Sequence, residues 1–209
     1  MSQKEHWNDI YDRKEYSEVT WFQPEPKQSL SLIRGLQLEK TSKILDVGAG
    51  SSTLVDFLLK DGFQFIYLLD ISQNAFSQSK KRLGEMSKKV NWLEGDVRNF
   101  QHSQKFDLWH DRAVFHFLTN TEDQNKYLKR LNDSLEIGAF FIISTFAEDG
   151  PLKCSGLEIF RYAKDELIDK MGVNFELMDF KKETHTSPGG MKQKFNYWVF
   201  KKLKQANKL

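Results

Sequence analysis

One stretch, residues 43–56, constrains the fold more than any other part of the chain. It reads KILDVGAGSSTLVD: an apolar run reaches Asp46, a glycine turn follows at Gly48 and Gly50, and the next residues have the apolar spacing of a helix. A buried strand, a glycine turn and a helix start, in this order, form a nucleotide-binding βα unit. Glycine permits positive φ angles and lets a ligand approach the backbone, while the first amide groups of the helix are free to bind it. The stretch therefore predicts an α/β fold with a ligand site at this turn.

The details of the turn argue against a dinucleotide ligand. The G-x-G-x-x-G pattern of dinucleotide-binding proteins needs a third glycine, which lets the helix and strand pack closely around a pyrophosphate. The third position here is Thr53. Asp46, two residues before the first glycine, would also repel a pyrophosphate. A carboxylate at that position suits a ligand that carries an ammonium group.

The stretch resembles the D/E-x-G-x-G-x-G first motif of class I S-adenosylmethionine-dependent methyltransferases. The match lies at Asp46, Gly48 and Gly50, and Ser52 stands where the family usually has a third glycine. The resemblance covers roughly residues 30–203. It implies a three-layer, Rossmann-like α/β fold with a seven-stranded, mostly parallel sheet, helices on both faces and a C-terminal antiparallel hairpin. It also implies S-adenosylmethionine as the cofactor and S-adenosylhomocysteine as its product.

Apolar periodicity predicts the other elements of such a fold. A hairpin fits the last two strands better than a crossover, because Pro188, Gly189 and Gly190 lie between them. We expect helices near residues 29–38, 72–89, 121–136 and 165–171, and strands near residues 63–69, 90–94, 106–109, 139–146, 175–180 and 195–201.

Length and composition limit the possible classes of protein. The 209 residues, 39% of them hydrophobic, suffice for one α/β domain over residues 1–209 with a full core. The 31 basic and 29 acidic residues nearly balance, which argues against a nucleic-acid partner. The single cysteine, Cys154, excludes an intramolecular disulfide framework. Because no apolar run approaches the ~20 residues that span a bilayer and no secretory signal is recognisable, we expect a cytoplasmic protein without a membrane partner.

Two further strand ends carry acidic residues that suit a nucleotide. The strand predicted near residues 63–69 ends at Asp70, where the ribose hydroxyls of a nucleotide would bind a carboxylate. The same carboxylate could instead cap the following helix. Asp96 follows the third strand in a position that resembles the family's acidic loop near the adenine amine. A simple turn aspartate beside a glycine is the alternative for Asp96.

The run HDRAVFHF, residues 110–117, follows the fourth predicted strand and contains the candidates for a general base. Ligands of open α/β sheets bind outside the strand carboxyl ends, and the resemblance implies that this loop faces the transferable methyl group. We therefore consider Asp111, His110 and His116 as catalytic residues. Asp111 could instead form only a surface ion pair with Arg112, and His116 could be a hydrogen-bonded core histidine.

Aromatic residues are concentrated near the N-terminus. Trp7 and Tyr11 have the spacing of one helical face, and Trp21 and Phe22 follow. Such a helix could simply brace the core, but class I methyltransferases often close over the cofactor with added N-terminal elements, and we expect residues 1–28 to form such a lid. The W-x-x-x-Y pattern followed by a W-F pair also resembles a subgroup that includes protein-lysine methyltransferases.

Together with the resemblance, these patterns predict one set of cofactor-binding residues and no metal site, because no clustered Cys/His spacing is present. The predicted set is Asp46, Gly48, Ala49, Gly50, Ser51, Ser52, Asp70, Ile71, Asp96, Val97, His110, Trp7, Tyr11 and Trp21.

The predicted function is a methyltransferase that acts by in-line displacement. Aligned approach can supply ~7–11 kcal/mol by itself, so that no catalytic side chain is strictly required. The N-terminal aromatic pattern favours a protein lysine amine as the acceptor, and a small-molecule carboxylate or thiol is the alternative. A NAD-dependent enzyme, which Thr53 disfavours, and a nucleotide-binding module without turnover are the rival functions.

We expect the protein to bind S-adenosylmethionine and S-adenosylhomocysteine but not NAD. The reason is Asp46 before a glycine turn that lacks the third dinucleotide glycine. Isothermal titration with the three ligands measures the difference. Tight binding of NAD, with no response to the other two, would contradict this interpretation of the turn.

Overall fold

A seven-stranded sheet with helices against both faces forms the body of the protein, of which the computed structural model describes residues 2–204. The strands are β1 (Lys43–Val47), β2 (Phe65–Asp70), β3 (Val90–Glu94), β4 (Phe106–Arg112), β5 (Leu135–Phe146), β6 (Lys153–Cys154), β7 (Leu157–Glu158), β8 (Phe175–Thr186) and β9 (Lys192–Lys202). The α-helices are α1 (Gln3–Arg13), α2 (Lys27–Gly35), α3 (Leu54–Lys60), α4 (Gln73–Leu83), α5 (Thr121–Ser134) and α6 (Lys164–Met171). Short 3-10 turns lie at Gly84–Lys89, Val97–Asn99, Phe115–Phe117 and Gly172–Asn174.

The strand order confirms the predicted fold class. The large sheet has the order β3-β2-β1-β4-β5-β9-β8, and β6 pairs with β7 in a separate ribbon. β1 to β5 pair in parallel, while β9 runs antiparallel to both β5 and β8. From β1 the chain adds β2 and then β3 on one side of β1. It then crosses over β1 and adds β4 on the other side. A crevice at the carboxyl ends of β1 and β4 is the expected ligand position in such a sheet.

Alternation along the strands divides the core between the two faces of the sheet. Ile44 of β1 packs with the apolar residues of α2, α3 and α4, whereas Leu45 and Val47 pack with those of α5 and α6. All three side chains are at most 1% exposed. A strand buried on both faces reads as a continuous apolar run, which is why this segment could be predicted from its sequence.

β4 is longer than predicted, and its added end contains three ionisable residues. It extends to Arg112, so that His110 and Asp111 lie within the strand and not in a loop after it. In the strand register, the backbone of His110 lies opposite Asp46 of β1, and the backbone of Arg112 lies opposite Ser144 of β5. Hydrogen bonds to strands on both sides hold these residues in extended backbone, although their polarity is typical of a loop. This extension decides where their side chains lie.

Other boundaries also differ from the prediction. α2 ends at Gly35, close to Gln37 at a φ of +52°, and not near residue 38. α4 changes to a 3-10 turn after Leu83. β8 and β9 extend well beyond the predicted strands because their added residues continue the antiparallel ladder as far as Thr186 and Lys192. Backbone pairing extends β8 past its apolar residues, because polar side chains on an outer strand remain partly solvated.

A buried network links α5 to the end of β4. The Trp109 indole donates to the Tyr127 hydroxyl at 3.0 Å, and that hydroxyl donates to the Asp111 carboxylate at 2.6 Å. The amides of Val114 and Phe115 also donate to Asp111, at 2.8 and 3.1 Å. The network fixes the turn that follows β4 and thereby one wall of the crevice.

We expect Tyr127→Phe to lower the free energy of unfolding by about 1–3 kcal/mol, because a buried carboxylate loses one donor and a buried indole loses its acceptor. Urea denaturation measures the change. Tyr16→Phe is the matched control, since Tyr16 is only partly buried. Equal stabilities of the two variants would contradict a structural role for the network.

Candidate active site

The main cavity lies at the carboxyl ends of β1, β2 and β4, where the strand order reverses. α1 and the segment after it close one side, and side chains from β5 and β9 reach the opposite side. Open α/β sheets bind their ligands at this position. Of the residues predicted to bind the cofactor, those that line this cavity are Trp7, Tyr11, Trp21, Gly48, Asp70, Ile71, Asp96 and Val97.

A second, smaller cavity adjoins the glycine turn. The predicted residues that line it and not the main cavity are Asp46, Ala49, Ser51, Ser52 and His110. Trp21, Gly48 and Arg112 line both cavities. The predicted cofactor residues are therefore divided between two neighbouring spaces on either side of Gly48, except for Gly50, which lines neither cavity.

The two glycines of the turn allow close approach of other segments. Gly50 has a φ of +51°, and an added Cβ there would lie 2.4 Å from the Tyr11 hydroxyl oxygen. Gly48 has a φ of +61°, and its added Cβ would lie 1.9 Å from a methyl carbon of Val114. A side chain at either position would combine an unfavourable φ with a steric clash. The turn thus requires glycine at both positions that match the motif.

Asp70 connects the glycine turn to the start of α4. Its Oδ2 accepts from the Gly50 amide at 2.8 Å, and its Oδ1 accepts from the Ser72 amide at 2.7 Å. Burial raises the pKa of Asp70 to about 6, although the two backbone hydrogen bonds act to lower it. The Ser72 hydroxyl itself caps α4 by accepting from Ala75. Asp70 therefore supports the helix start and also keeps lone pairs for a ligand.

Asp96 lines the cavity but is held by Arg98. The guanidinium of Arg98 binds both carboxylate oxygens, and the Arg98 amide donates to Oδ1 at 2.8 Å. Burial acts to raise the pKa of Asp96, but the hydrogen bonds from Arg98 outweigh it and hold the pKa below its ordinary value. Arg98 also reaches Asp123 at 2.8 Å and Gln3 of α1 at 3.2 Å. The acidic side chain is thus fixed and ionised, and it is linked to the N-terminal helix.

α1 lies over the main cavity. Its inner side presents Trp7, which packs edge-on against Trp21 and Phe117 with ring centroids 5.8 and 5.2 Å apart. Polar contacts bind the helix to α4: Ser72 donates to Asn8 at 2.8 Å, and Gln78 donates to the Tyr11 carbonyl at 2.7 Å. The contacts over the cavity are apolar, and those on α4 are polar.

Asp46 and His110 form a buried pair beside the glycine turn. His110 Nδ1 lies 2.6 Å from Asp46 Oδ1, and His110 Nε2 lies 2.9 Å from the Ser29 hydroxyl. All three side chains are at most 3% exposed. Because both ring nitrogens have partners within the protein, His110 is placed to orient Asp46.

The structure contradicts the predicted positions of Asp111 and His116. Neither lines the main cavity, and both are 0% exposed. Alternation along β4 directs Asp111 towards α5, where it binds Tyr127, and burial raises its pKa to about 6. His116 lies in a 3-10 turn against Phe146, and burial lowers the pKa of its ring to about 3. The placement of His110 outside the main cavity likewise differs from the prediction for a catalytic base.

The cavity also contains residues that the sequence did not single out. Its far end, opposite the acidic residues, is lined by Arg112, Phe117, Phe146, Cys154, Gln193 and Phe195. Arg112 had been considered only as an ion-pair partner of Asp111. The residues from β9 are more than 140 positions from the glycine turn, and only the pairing of β9 with β5 brings them to the cavity.

Two further findings concern residues 2–204 only. No group of three or more potential ligands among His, Cys, Asp and Glu is arranged to hold a metal ion there. None of the helices in this range combines the length and apolar character that a membrane crossing requires.

Comparisons with known proteins agree with this geometry. Residues 45–141 match the sequence model of a family described as "Methyltransferase domain". The chain is 27% identical over 198 residues to EEF1A lysine methyltransferase 2 of Mus musculus, covering 86% of this chain and 74% of that protein. It is 32% identical over 112 residues to malonyl-(acyl-carrier protein) O-methyltransferase 1 of Ilyobacter polytropus, covering 52% of this chain but only 39% of that protein.

A solved structure has the same fold. The N-methyltransferase NodS of Bradyrhizobium japonicum, in complex with S-adenosylhomocysteine, superposes with a TM-score of 0.71 at 13% identity, over 95% of this chain and all of that one. Residues 45–141 thus form a methyltransferase domain by sequence, and the chain has the fold of the class I S-adenosylmethionine-dependent methyltransferases. This confirms the resemblance inferred from the glycine turn.

The methyltransferase match extends over only part of the cavity. It begins within β1 and ends within β5, so it contains the glycine turn, Asp70 and Asp96. α1 and the β8–β9 hairpin lie outside the matched residues. The walls contributed by Trp7 and Gln193 are therefore not part of the matched domain.

Proposed function

We propose that the protein binds S-adenosylmethionine in the main cavity and transfers its methyl group to an acceptor. The observation that carries the proposal is the cavity at the switch point, in which the glycine turn is bonded to Asp70 and two acidic side chains face a common space. The chain has the fold of the class I methyltransferases, and related structures such as NodS contain S-adenosylhomocysteine.

The residues present fit this cofactor. Asp70 is placed to accept from the ribose hydroxyls, and Asp96 to accept from the adenine amine. Asp46 would face the methionyl ammonium group, held in position by His110. Gly48 allows the close approach of Val114, which a side chain at this position would prevent. Gly50 is proposed to act through its hydrogen bond to Asp70, and the other predicted cofactor residues are proposed as lining of the two adjoining cavities.

The chemistry requires mainly positioning. When bound, the cofactor supplies a methyl group that is already activated on a sulfonium. The aromatic walls of the cavity exclude water and align the acceptor with this methyl group. Asp111, His110 and His116 are not placed to act as general bases, because their polar atoms are engaged elsewhere or buried outside the main cavity.

Residues 1–28 are proposed as a lid on a single domain that spans residues 1–209. α1 places Gln3, Trp7 and Tyr11 on the main cavity. Its attachment to α4 depends on a few polar contacts, which can break and re-form when a cofactor enters. We also propose a cytoplasmic location, because a single cysteine is consistent with a reducing compartment.

Two acceptor classes fit the comparisons. A protein lysine amine agrees with the name of the murine relative and with the N-terminal aromatic pattern. A small-molecule carboxylate or thiol agrees in part with the name of the Ilyobacter relative, an O-methyltransferase. Both classes of acceptor would enter at the end of the cavity opposite Asp70.

Asp70→Ala and Asp96→Ala should each raise the dissociation constant for S-adenosylhomocysteine by about tenfold to a hundredfold, because each removes a charge-assisted hydrogen bond. Isothermal titration measures this change. Asp61→Ala is the matched control, since Asp61 pairs with Arg34 at 2.8 Å on α2, away from the cavity. A fall in melting temperature with unchanged affinity of the folded protein would make Asp70 and Asp96 structural residues only.

Cofactor affinity should also fall as the pH is lowered through about 6. The raised pKa of Asp70, about 6, means that the carboxyl group gains a proton in this range and accepts hydroxyl hydrogen bonds less well. Affinity should be full above pH 7 and fall by about tenfold for each unit below the pKa. In Asp70→Asn this dependence should disappear. Its persistence in that variant would assign the titration to another group.

Removal of residues 2–14 should leave a folded protein with sharply reduced cofactor affinity, because the lid no longer buries the ligand. The truncation stops before Val19, which is 1% exposed and belongs to the core. Circular dichroism verifies the fold, and titration measures the affinity.

Hydrogen exchange gives an independent measurement on the intact chain. Residues 6–22 should gain protection when S-adenosylhomocysteine is added, whereas α5 should exchange equally with and without ligand. Slow exchange of residues 6–22 in both states, together with unfolding of the truncated chain, would show that this segment is part of the core.

A further inference from the structure

Arg112 places a positive charge at the far end of the main cavity. Its Nε donates to the Tyr197 hydroxyl at 3.1 Å, and its Nη1 donates to the Trp21 carbonyl at 3.1 Å. The guanidinium carbon lies 4.9 Å from the centre of the Phe195 ring. Its Nη2 is buried and has no hydrogen-bond partner among residues 2–204.

This charge is not neutralised by direct contact. Within the described chain no carboxylate forms an ion pair with Arg112. Glu183 reaches Arg112 only indirectly. Its carboxylate accepts from the Tyr197 hydroxyl at 2.8 Å, and that hydroxyl in turn accepts from Arg112. A half-buried guanidinium without a carboxylate is costly unless another anion compensates it. Arg112 therefore has unused capacity to bind an anion.

A second unpaired polar group faces the same space. Gln193 lines the main cavity with Arg112, is 4% exposed, and its side-chain oxygen has no partner among the described residues. The surrounding walls, Phe117, Phe146 and Phe195, are aromatic. A buried polar side chain without a partner on a cavity wall is typical of a position completed by a ligand.

We propose that Arg112 and Gln193 form a subsite for the methyl acceptor and that this acceptor is a small anion with an apolar body, a carboxylate or a thiolate. The inference rests on the proposed methyltransferase function and selects between its two acceptor classes. The positive charge of Arg112 would repel a lysine ammonium group. With such an acceptor bound, the guanidinium would also remain without an anionic partner. The Nη2 group of Arg112, which has no partner among the described residues, can donate a charge-assisted hydrogen bond to a carboxylate, and the aromatic walls suit a flat apolar group.

An anionic acceptor also explains why the cavity needs no general base. The anionic oxygen or sulfur forms the new bond to the methyl carbon as the bond from that carbon to the cofactor sulfur breaks. The cofactor sulfur keeps the electron pair and becomes a neutral thioether, while the acceptor becomes a neutral ester or thioether. Charge balances without transfer of a proton, whereas an ammonium acceptor would first have to lose one.

The test compares three probes of one shape: phenylacetate, phenylacetamide and phenethylamine. Each is titrated into the complex of the protein with S-adenosylhomocysteine. The wild-type complex should bind phenylacetate at least about tenfold more tightly than the amide, and the amine most weakly. Arg112→Gln should weaken phenylacetate by about tenfold or more and leave the amide nearly unchanged. Arg34→Gln, which alters an exposed arginine on α2, is the matched control.

The outcomes separate this subsite from the proposed function. A protein that binds S-adenosylhomocysteine but prefers phenethylamine, or whose Arg112→Gln variant keeps its preference for phenylacetate, overturns the subsite and leaves the methyltransferase function intact. Failure to bind S-adenosylhomocysteine at all overturns the function itself. If Arg112→Gln does not fold, two other measurements test the subsite. The wild-type complex should still bind phenylacetate most tightly and phenethylamine most weakly, and Gln193→Leu should lose affinity for phenylacetate.

A cofactor titration tests whether the anion belongs instead to the cofactor. S-adenosylhomocysteine and its decarboxylated analogue are titrated into wild type and Arg112→Gln. The subsite predicts that the variant binds both compounds within about twofold of wild type. If the variant loses affinity only for the compound that has a carboxylate, Arg112 binds the cofactor and the acceptor subsite is wrong.

Discussion

The hydrogen bond from the Gly50 amide to the Asp70 carboxylate joins the turn after β1 to the end of β2, and the rest of the site is arranged around it. The other oxygen of the same carboxylate binds the Ser72 amide and so fixes the start of α4. α1 then rests on α4 and brings Tyr11 within contact of Gly50. A buried carboxylate is unfavourable alone, and the two backbone donors offset part of that cost. One side chain thereby positions the turn, a helix start and the cover of the cavity.

β4 distributes three consecutive ionisable residues to three environments. His110 pairs with Asp46 beside the glycine turn, Asp111 binds Tyr127 in the opposite layer of the core, and Arg112 reaches the main cavity. The division follows from the alternation of side chains along a strand and from the end of the strand at Arg112. The two residues that could have acted as bases thus became structural supports. The residue left facing the cavity is a permanent cation.

The main cavity is consequently asymmetric in charge. Asp70 and Asp96 lie at one end, and Arg112 lies at the other with aromatic side chains around it. In the proposed function the acidic end receives the nucleoside of a cationic cofactor, and the basic end receives an anion. Phe146, Cys154, Gln193 and Phe195, which line the cavity near Arg112, lie outside the residues matched by the family.

The sequence by itself determined the features that depend on local pattern. The strand, turn and helix around Gly48 and Gly50 predicted the fold class, and the spacing of strand ends identified Asp70 and Asp96 as cavity residues. Only the tertiary structure decided where Asp111 and Gln193 lie. Polarity alone predicted the end of β4 too early, and because consecutive side chains of a strand point to opposite faces, the longer strand directs Asp111 away from the cavity. Gln193 reaches the cavity because β9 pairs with β5, and such pairing between distant segments has no local signature in the sequence.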